Sequence, residues 1–295
     1  MHAAVEEVRS LLASACAGSS PENFPIEGER QVVIANIDRA DALPAVGRAL
    51  AALIGTGWTA FAAEWFDGPS DVILRIADRQ NFGTFQWLAP PRRCQPRDWD
   101  IQTVLQAADC MTDADVDDQL EALERERSYF WRDQVGVEIR LQLASTEQRY
   151  GKAPRVSDIP PDARRTPASL DRWLLDWELR HGPPEVGKEF PEWQLGIGHG
   201  VSVVALPWAR AEVVLAADLI HGAPAVLAVA LLERWHRRYG TRVVSHCGAG
   251  VALESERLPT TVDEAHSIAR AIDLIANDLL GGATRTKRDA RTPTA

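Results

Sequence analysis

The chain has 295 residues, 45% of them hydrophobic and 25% charged, which is the composition of a folded globular protein and excludes wholesale disorder. Its length suits one large domain or two of about 150 residues, and two are expected. A net charge of −10 argues against general nucleic-acid binding, because phosphate contacts need a basic surface.

The N-terminal MHAAVEEVRSLLASACAG has a short apolar face but no basic run ahead of it. It carries Glu6 and Glu7, so an amphipathic helix is expected there and not a secretory leader. After a Ser/Pro/Gly loop, QVVIANI (31–37) is β-branched and compact, as a buried strand should be. Asp41 then precedes PAVGRALAALIG, a helix closing at Gly55 and Gly57, and WTAFAAEWF (58–66) gives the next strand. Ser70 or Asp71 caps a helix through DVILRIADRQ, and APPRRCQPRD (89–98) is a Pro-broken loop. Two further helices, IQTVLQAAD and DADVDDQLEALERERSYFWRD, precede VEIRLQL (137–143), whose alternation predicts a strand with one wet face.

Pro154, Pro160, Pro161 and Pro167 lie among charged residues, a composition that resists packing and regular hydrogen bonding, and this stretch is expected to divide the lobes. Beyond it Leu170, Trp173, Leu174 and Trp177 recur at helical spacing, which predicts a bridging helix over 168–180 docked by its Trp face. The stretch HGPPEVGKEFPE is a second breaker. VSVVALPW (201–208) then predicts a strand and 224–239 a helix that buries Leu231 and Trp235 and stops at Gly240. RVVSH and VALES flank Cys247–Gly250 as a hairpin. Thr261 and Glu264 form a capping box for a last helix whose stripe includes Ile272 and Ile275. The expected fold class is therefore α+β in two lobes, each a small mixed or antiparallel sheet with packed helices. The N-terminal lobe is 1–150, the Pro-rich linker 151–192, the C-terminal lobe 193–282, and 283–295 a disordered basic tail.

The run Trp235, His236, Arg237, Arg238, Tyr239 and Gly240, then a short hairpin, then Leu258, Pro259, Thr260 and Thr261 opening a long helix, resembles the bacterial family catalogued as domain of unknown function 4253. The resemblance covers about 200–280 and implies a strand, helix, hairpin and helix in one lobe; it implies no particular activity. One departure is the end of the last helix. Members of that family continue into an aromatic-Cys-Pro-Asp ending, whereas this chain has Asn277, Asp278, Leu279, Leu280 and Gly281.

Several constellations bear on chemistry. Asp113, Asp115, Asp117 and Glu124 imitate a calcium loop, but Asp118 stands where such a loop needs glycine for its sharp turn, so no metal is expected. Gly196-Ile197-Gly198-His199-Gly200 leads into a strand and not a helix, which makes it a turn and not a phosphate cradle. Cys16, Cys94, Cys110 and Cys247 contain no C-x-x-C pair and outline no exported disulfide framework, so reduced thiols of a cytoplasmic protein are expected. Cys247 is a buried thiol by this reading, since adjacent residues of a strand face opposite ways and His246 cannot serve it as a base. No G-x-S-x-G or H-E-x-x-H motif occurs. No apolar window is long enough to span a bilayer.

Arg234, His236, Arg237, Arg238 and Arg242 gather positive charge about the end of the 224–239 helix, where it complements the helix dipole and could also grip a carboxylate or phosphate. The leading expectation is a non-enzymatic binding protein without a cofactor, with its surface at His236, Arg237, Arg238 and His246. An immunity-like role against a basic protein partner fits the acidity. The alternative is a small hydrolase or transferase, which should bring His236, His246 or His199 together with a carboxylate in a pocket.

Overall fold

A computed structural model of the chain describes residues 4–26, 30–65, 91–95, 97, 100–182, 200–210, 224–246 and 251–275. The predicted helix through 71–80, the turn at 196–199, Cys247 with the hairpin tip, the end of the last helix and the tail 283–295 lie outside the described residues. The fold is mixed α+β, as expected. Contacts divide it into two compact units: residues 1–116 with 193–258, and residues 117–192 with 259–295.

The first unit is built on one six-stranded mixed sheet. Its strands are β1 (Glu22–Pro25), β2 (Gln31–Ile37), β3 (Thr59–Trp65), β4 (Gly200–Leu206), β5 (Arg242–His246) and β6 (Val251–Glu254), in the order β1-β2-β4-β3-β5-β6. All neighbours are antiparallel except β3 and β5, which run parallel. Strands from both halves of the chain therefore share one ladder, where a separate sheet in each lobe is the sequence expectation. The reason lies in the burial: β2, β3 and β4 are apolar on both faces, and an edge such as β3 or β4 left open within either half would expose unpaired backbone groups.

On one face, helices α1 (Val5–Ala15) and α2 (Ala42–Ala52) close over Val33, Ala35, Ala60, Ala62, Val201, Val203 and Ala205. Alanines at the strand positions let the helices approach closely, and Val8, Leu12, Val46 and Leu53 fill the layer. Arg48 ties the two helices at the rim, donating to the Ala15 carbonyl at 2.7 Å and pairing with Asp41 at 2.6 Å. Helix α3 (Ile101–Asp109) is capped by the Asp100 carboxylate, which accepts the Thr103 amide at 2.9 Å. It packs against a later helix of the same unit, Ala225–Tyr239, whose residues 225–232 are buried on every side.

Helix α4 runs from Asp113 to Tyr150 and includes 137–143, where a strand is predicted. The alternation of Val137, Ile139, Leu141 and Leu143 is real, but Val137 and Leu141 are exposed. The buried set is Ile139, Leu143, Thr146 and Tyr150, which repeats at the helical spacing of four, three and four. Helix α5 (Pro167–His181) begins at Thr166, whose hydroxyl accepts the Ser169 amide at 3.1 Å. Leu170 and Leu174 are buried as expected, while Trp173 and Trp177 are half-buried.

The Pro-rich stretch packs as well, contrary to its composition. Ile159 and Ala163 are buried with Ile139, Leu143, Leu170 and Leu174. Arg164 makes this possible by donating to the carbonyls of Ile159 and Val156 at 2.8 and 2.7 Å, while the Asp158 carboxylate accepts the Arg155 amide at 2.9 Å. In the chain's last described helix, α7 (Val262–Ile275), Ile275 is buried and Ile272 half-buried. The Thr261 hydroxyl accepts the Glu264 amide at 3.1 Å, and the Glu264 carboxylate reaches one residue further back than a standard box, to the Thr260 amide at 2.7 Å.

Candidate functional site

Helix α6 (Ala225–Tyr239) ends as its sequence predicts. Gly240 takes the left-handed conformation at φ 67°, and its amide donates to the His236 carbonyl at 2.8 Å. A Cβ there would lie 2.7 Å from the carboxylate of the exposed Glu256, which can swing aside, so it is the left-handed backbone that calls for glycine. Leu231 and Trp235 are buried.

The three cationic candidates at this end are exposed side chains, but each is engaged. His236 places Nδ1 2.9 Å from the Thr241 carbonyl oxygen, fastening the helix to the start of β5. Arg237 pairs with Glu233 at 3.2 Å and with Asp113 at 3.4 Å. Arg210 holds Glu233 from the other side and also holds Asp109, both at 2.5 Å. Arg238 lies over the Tyr239 ring, 5.5 Å from its centroid. The backbone of His246 pairs with Ala63 in the sheet. His199 lies outside the described residues, and among the described residues no carboxylate stands at hydrogen-bond distance from His236.

The calcium-like stretch is helical from Asp113 onward, so its carboxylates spread around a helix and do not ring a loop. Asp115 is the third residue of a capping box: it accepts the Thr112 hydroxyl and amide, both at 2.7 Å, and pairs with Arg93. Among the described residues no group of three or more His, Cys, Asp or Glu side chains could hold a metal ion.

The Thr112 hydroxyl and amide, with Arg93, lower the Asp115 carboxyl from 3.8 to about 2. Because the folded value lies below the unfolded one, the stabilisation is present above about pH 4 and disappears as the pH falls towards 2. Asp115→Asn should therefore melt below the parent at about pH 5, with the gap closing by about pH 2. A gap that stays constant across thermal melts at those pH values would refute this assignment.

The site that sequence reading missed lies where α2 turns into β3. A hollow of about 720 Å³ opens there, walled by Gly47, Leu50 and Ile54 and by Trp58, Ala209 and Arg242. Ile54 is 82% exposed although wholly apolar. Gly47 lies on the exposed side of α2, and a Cβ added to it would meet nothing within 4 Å, so a glycine inside a helix keeps the wall open. Trp58 is 6% exposed, and its indole N–H is buried with no hydrogen-bond acceptor among the described residues. Arg242, one of the cations noted in the sequence, gives Nε and Nη2 to one Glu254 oxygen at 3.0 and 2.6 Å. Its Nη1 edge has no acceptor among the described residues. The available signal was the pairing of Gly47 in a helix with an exposed Ile54 two residues beyond its end. Compared with known protein families, curated proteins and solved structures, the chain matches none of them.

Proposed function

We propose that this is a non-catalytic binding protein whose ligand is a small amphipathic anion, an aliphatic or aromatic body with a carboxylate head, seated in the hollow between α2 and β3. The observation that carries the reading is an apolar hollow with Arg242 at its rim and, in its Trp58 wall, an indole N–H that has no acceptor among the described residues. Ligand sites commonly combine an apolar lining with a few polar groups that fix orientation. Leu50, Ile54 and Trp58 supply the first, and the Nη1 edge of Arg242 supplies a charge-assisted grip. The alternative hydrolase or transferase reading needs a histidine poised by a carboxylate, whereas Nδ1 of His236 is taken by the Thr241 carbonyl.

Decanoate and decanol, titrated by tryptophan fluorescence and calorimetry, distinguish the parts of this proposal. Decanoate should bind saturably, and Arg242→Gln should weaken it about tenfold while leaving decanol unchanged, as expected for one lost charge-assisted hydrogen bond. Gly47→Leu, which fills the wall without straining the helix, should abolish both. Decanoate that fails to saturate, or that binds Gly47→Leu like the parent, overturns the proposal.

A further inference from the structure

Cys94 and Cys110 are sixteen positions apart in the sequence, but the first unit brings them together. The short turn Arg92–Cys94 packs against α3, and Cys110 follows the last residue of that helix. Their side chains lie within reach of each other, and the Arg93–Asp115 pair holds the turn at this end of the helix. One is buried, at 1% exposure, and the other is exposed. The Arg93 guanidinium, which pairs with Asp115, also lies near both sulfurs. Cys16 is different: it is fully buried in the α1–α2 layer, and burial pushes its thiol up to about 11, so it is an internal control for an inert cysteine.

We infer that Cys94 and Cys110 form a peroxide-oxidisable thiol pair that closes reversibly into an intramolecular disulfide. The division of labour follows from exposure. Peroxide must reach the sulfur that reacts first, and of the two only Cys110 meets solvent. Its sulfur attacks a peroxide oxygen; the S–O bond forms, the O–O bond breaks, and the departing hydroxide takes a proton to leave as water. The product is the sulfenic acid of Cys110. Cys94, which lies within reach, then gives up its proton and attacks the Cys110 sulfur. The S–S bond forms, the S–O bond breaks, and the hydroxide released takes that proton as a second water. The pair has lost two electrons and the peroxide has gained them. An external dithiol reverses the closure by exchange. Burial raises the Cys94 thiol, which keeps it protonated and unreactive towards peroxide until its partner is oxidised.

The test exposes the full chain to hydrogen peroxide, with and without dimedone to trap sulfenic acid, and maps tryptic peptides without reduction. The parent should yield residues 94–97 linked to 98–125, and dithiothreitol should remove the link. In Cys94→Ala the dimedone adduct on Cys110 should rise at least about tenfold over the parent, because the resolving thiol is gone. In Cys110→Ser, a change at an exposed position, Cys94 should keep its thiol through the same treatment, as Cys16 does. The inference fails if the parent gives no linked peptide, if the Cys110 adduct is equal in parent and Cys94→Ala, or if Cys94 oxidises in Cys110→Ser as fast as in the parent.

Discussion

Truncating Trp235 to alanine is expected to cost about 3–5 kcal/mol, the range for emptying a buried large aromatic site, and so a large part of a typical domain's stability. The side chain is 6% exposed in a helix whose residues 225–232 are all buried, so few neighbours are free to collapse into the space. Leu231 and Tyr239, one turn on either side of Trp235, are buried on the same face and would lose a contact. His236→Ala is the comparison. It deletes one hydrogen bond to the Thr241 carbonyl from an otherwise exposed ring, and should cost only about 1 kcal/mol. Urea unfolding followed by circular dichroism reads both, with midpoints compared because a two-unit chain need not unfold in one step. If Trp235→Ala shifts the midpoint no further than His236→Ala, α6 is not the packed centre described here.

What could be read from the sequence was whatever depends on neighbours along the chain. The helices at 101–109 and 225–239 and their stops follow from apolar spacing, an Asp cap and a left-handed glycine, all within a few residues. The strands β2, β3 and β4 follow from compact apolar runs. The misreading at 137–143 came from a window too short to separate two periods: only with Thr146 and Tyr150 added does the buried face become helical. Strand β1, four residues ending in Pro25, was invisible because its apolar content is slight and it sits at the edge of the sheet. The hollow and the cysteine pair were beyond reach for a different reason. Arg242 meets the α2–β3 turn, and Cys94 meets Cys110, only through pairings that the sheet and helix packing decide. The cationic group at 234–242 was visible as charge, but its acidic partners Asp113, Glu233 and Glu254 were not visible as partners.

Gly200→Ala is expected to cost about 2–4 kcal/mol, combining overpacking with the loss of buried hydrogen bonds, although it adds a single methyl group. Gly200 faces Trp65 across the β3–β4 ladder, and the indole lies flat over it. A Cβ on Gly200 would fall far inside van der Waals contact with the ring carbons. Nor can the ring simply swing away. Its Nε1 donates to the Ser202 hydroxyl at 2.9 Å, which in turn donates to the Asn36 side-chain oxygen at 2.7 Å, a chain of bonds crossing β3, β4 and β2. Displacing the indole leaves the fully buried Ser202 hydroxyl without its donor. A double-mutant cycle isolates this mechanism. In a Trp65→Ala background the clash is gone, and alanine, which loses less backbone entropy than glycine on entering a strand, should be neutral or stabilise by about 0.5 kcal/mol. The two free energies should therefore differ by at least about 2 kcal/mol between backgrounds. Equal costs in both would mean that Gly200 is required by the backbone alone and that the indole does not rest on it.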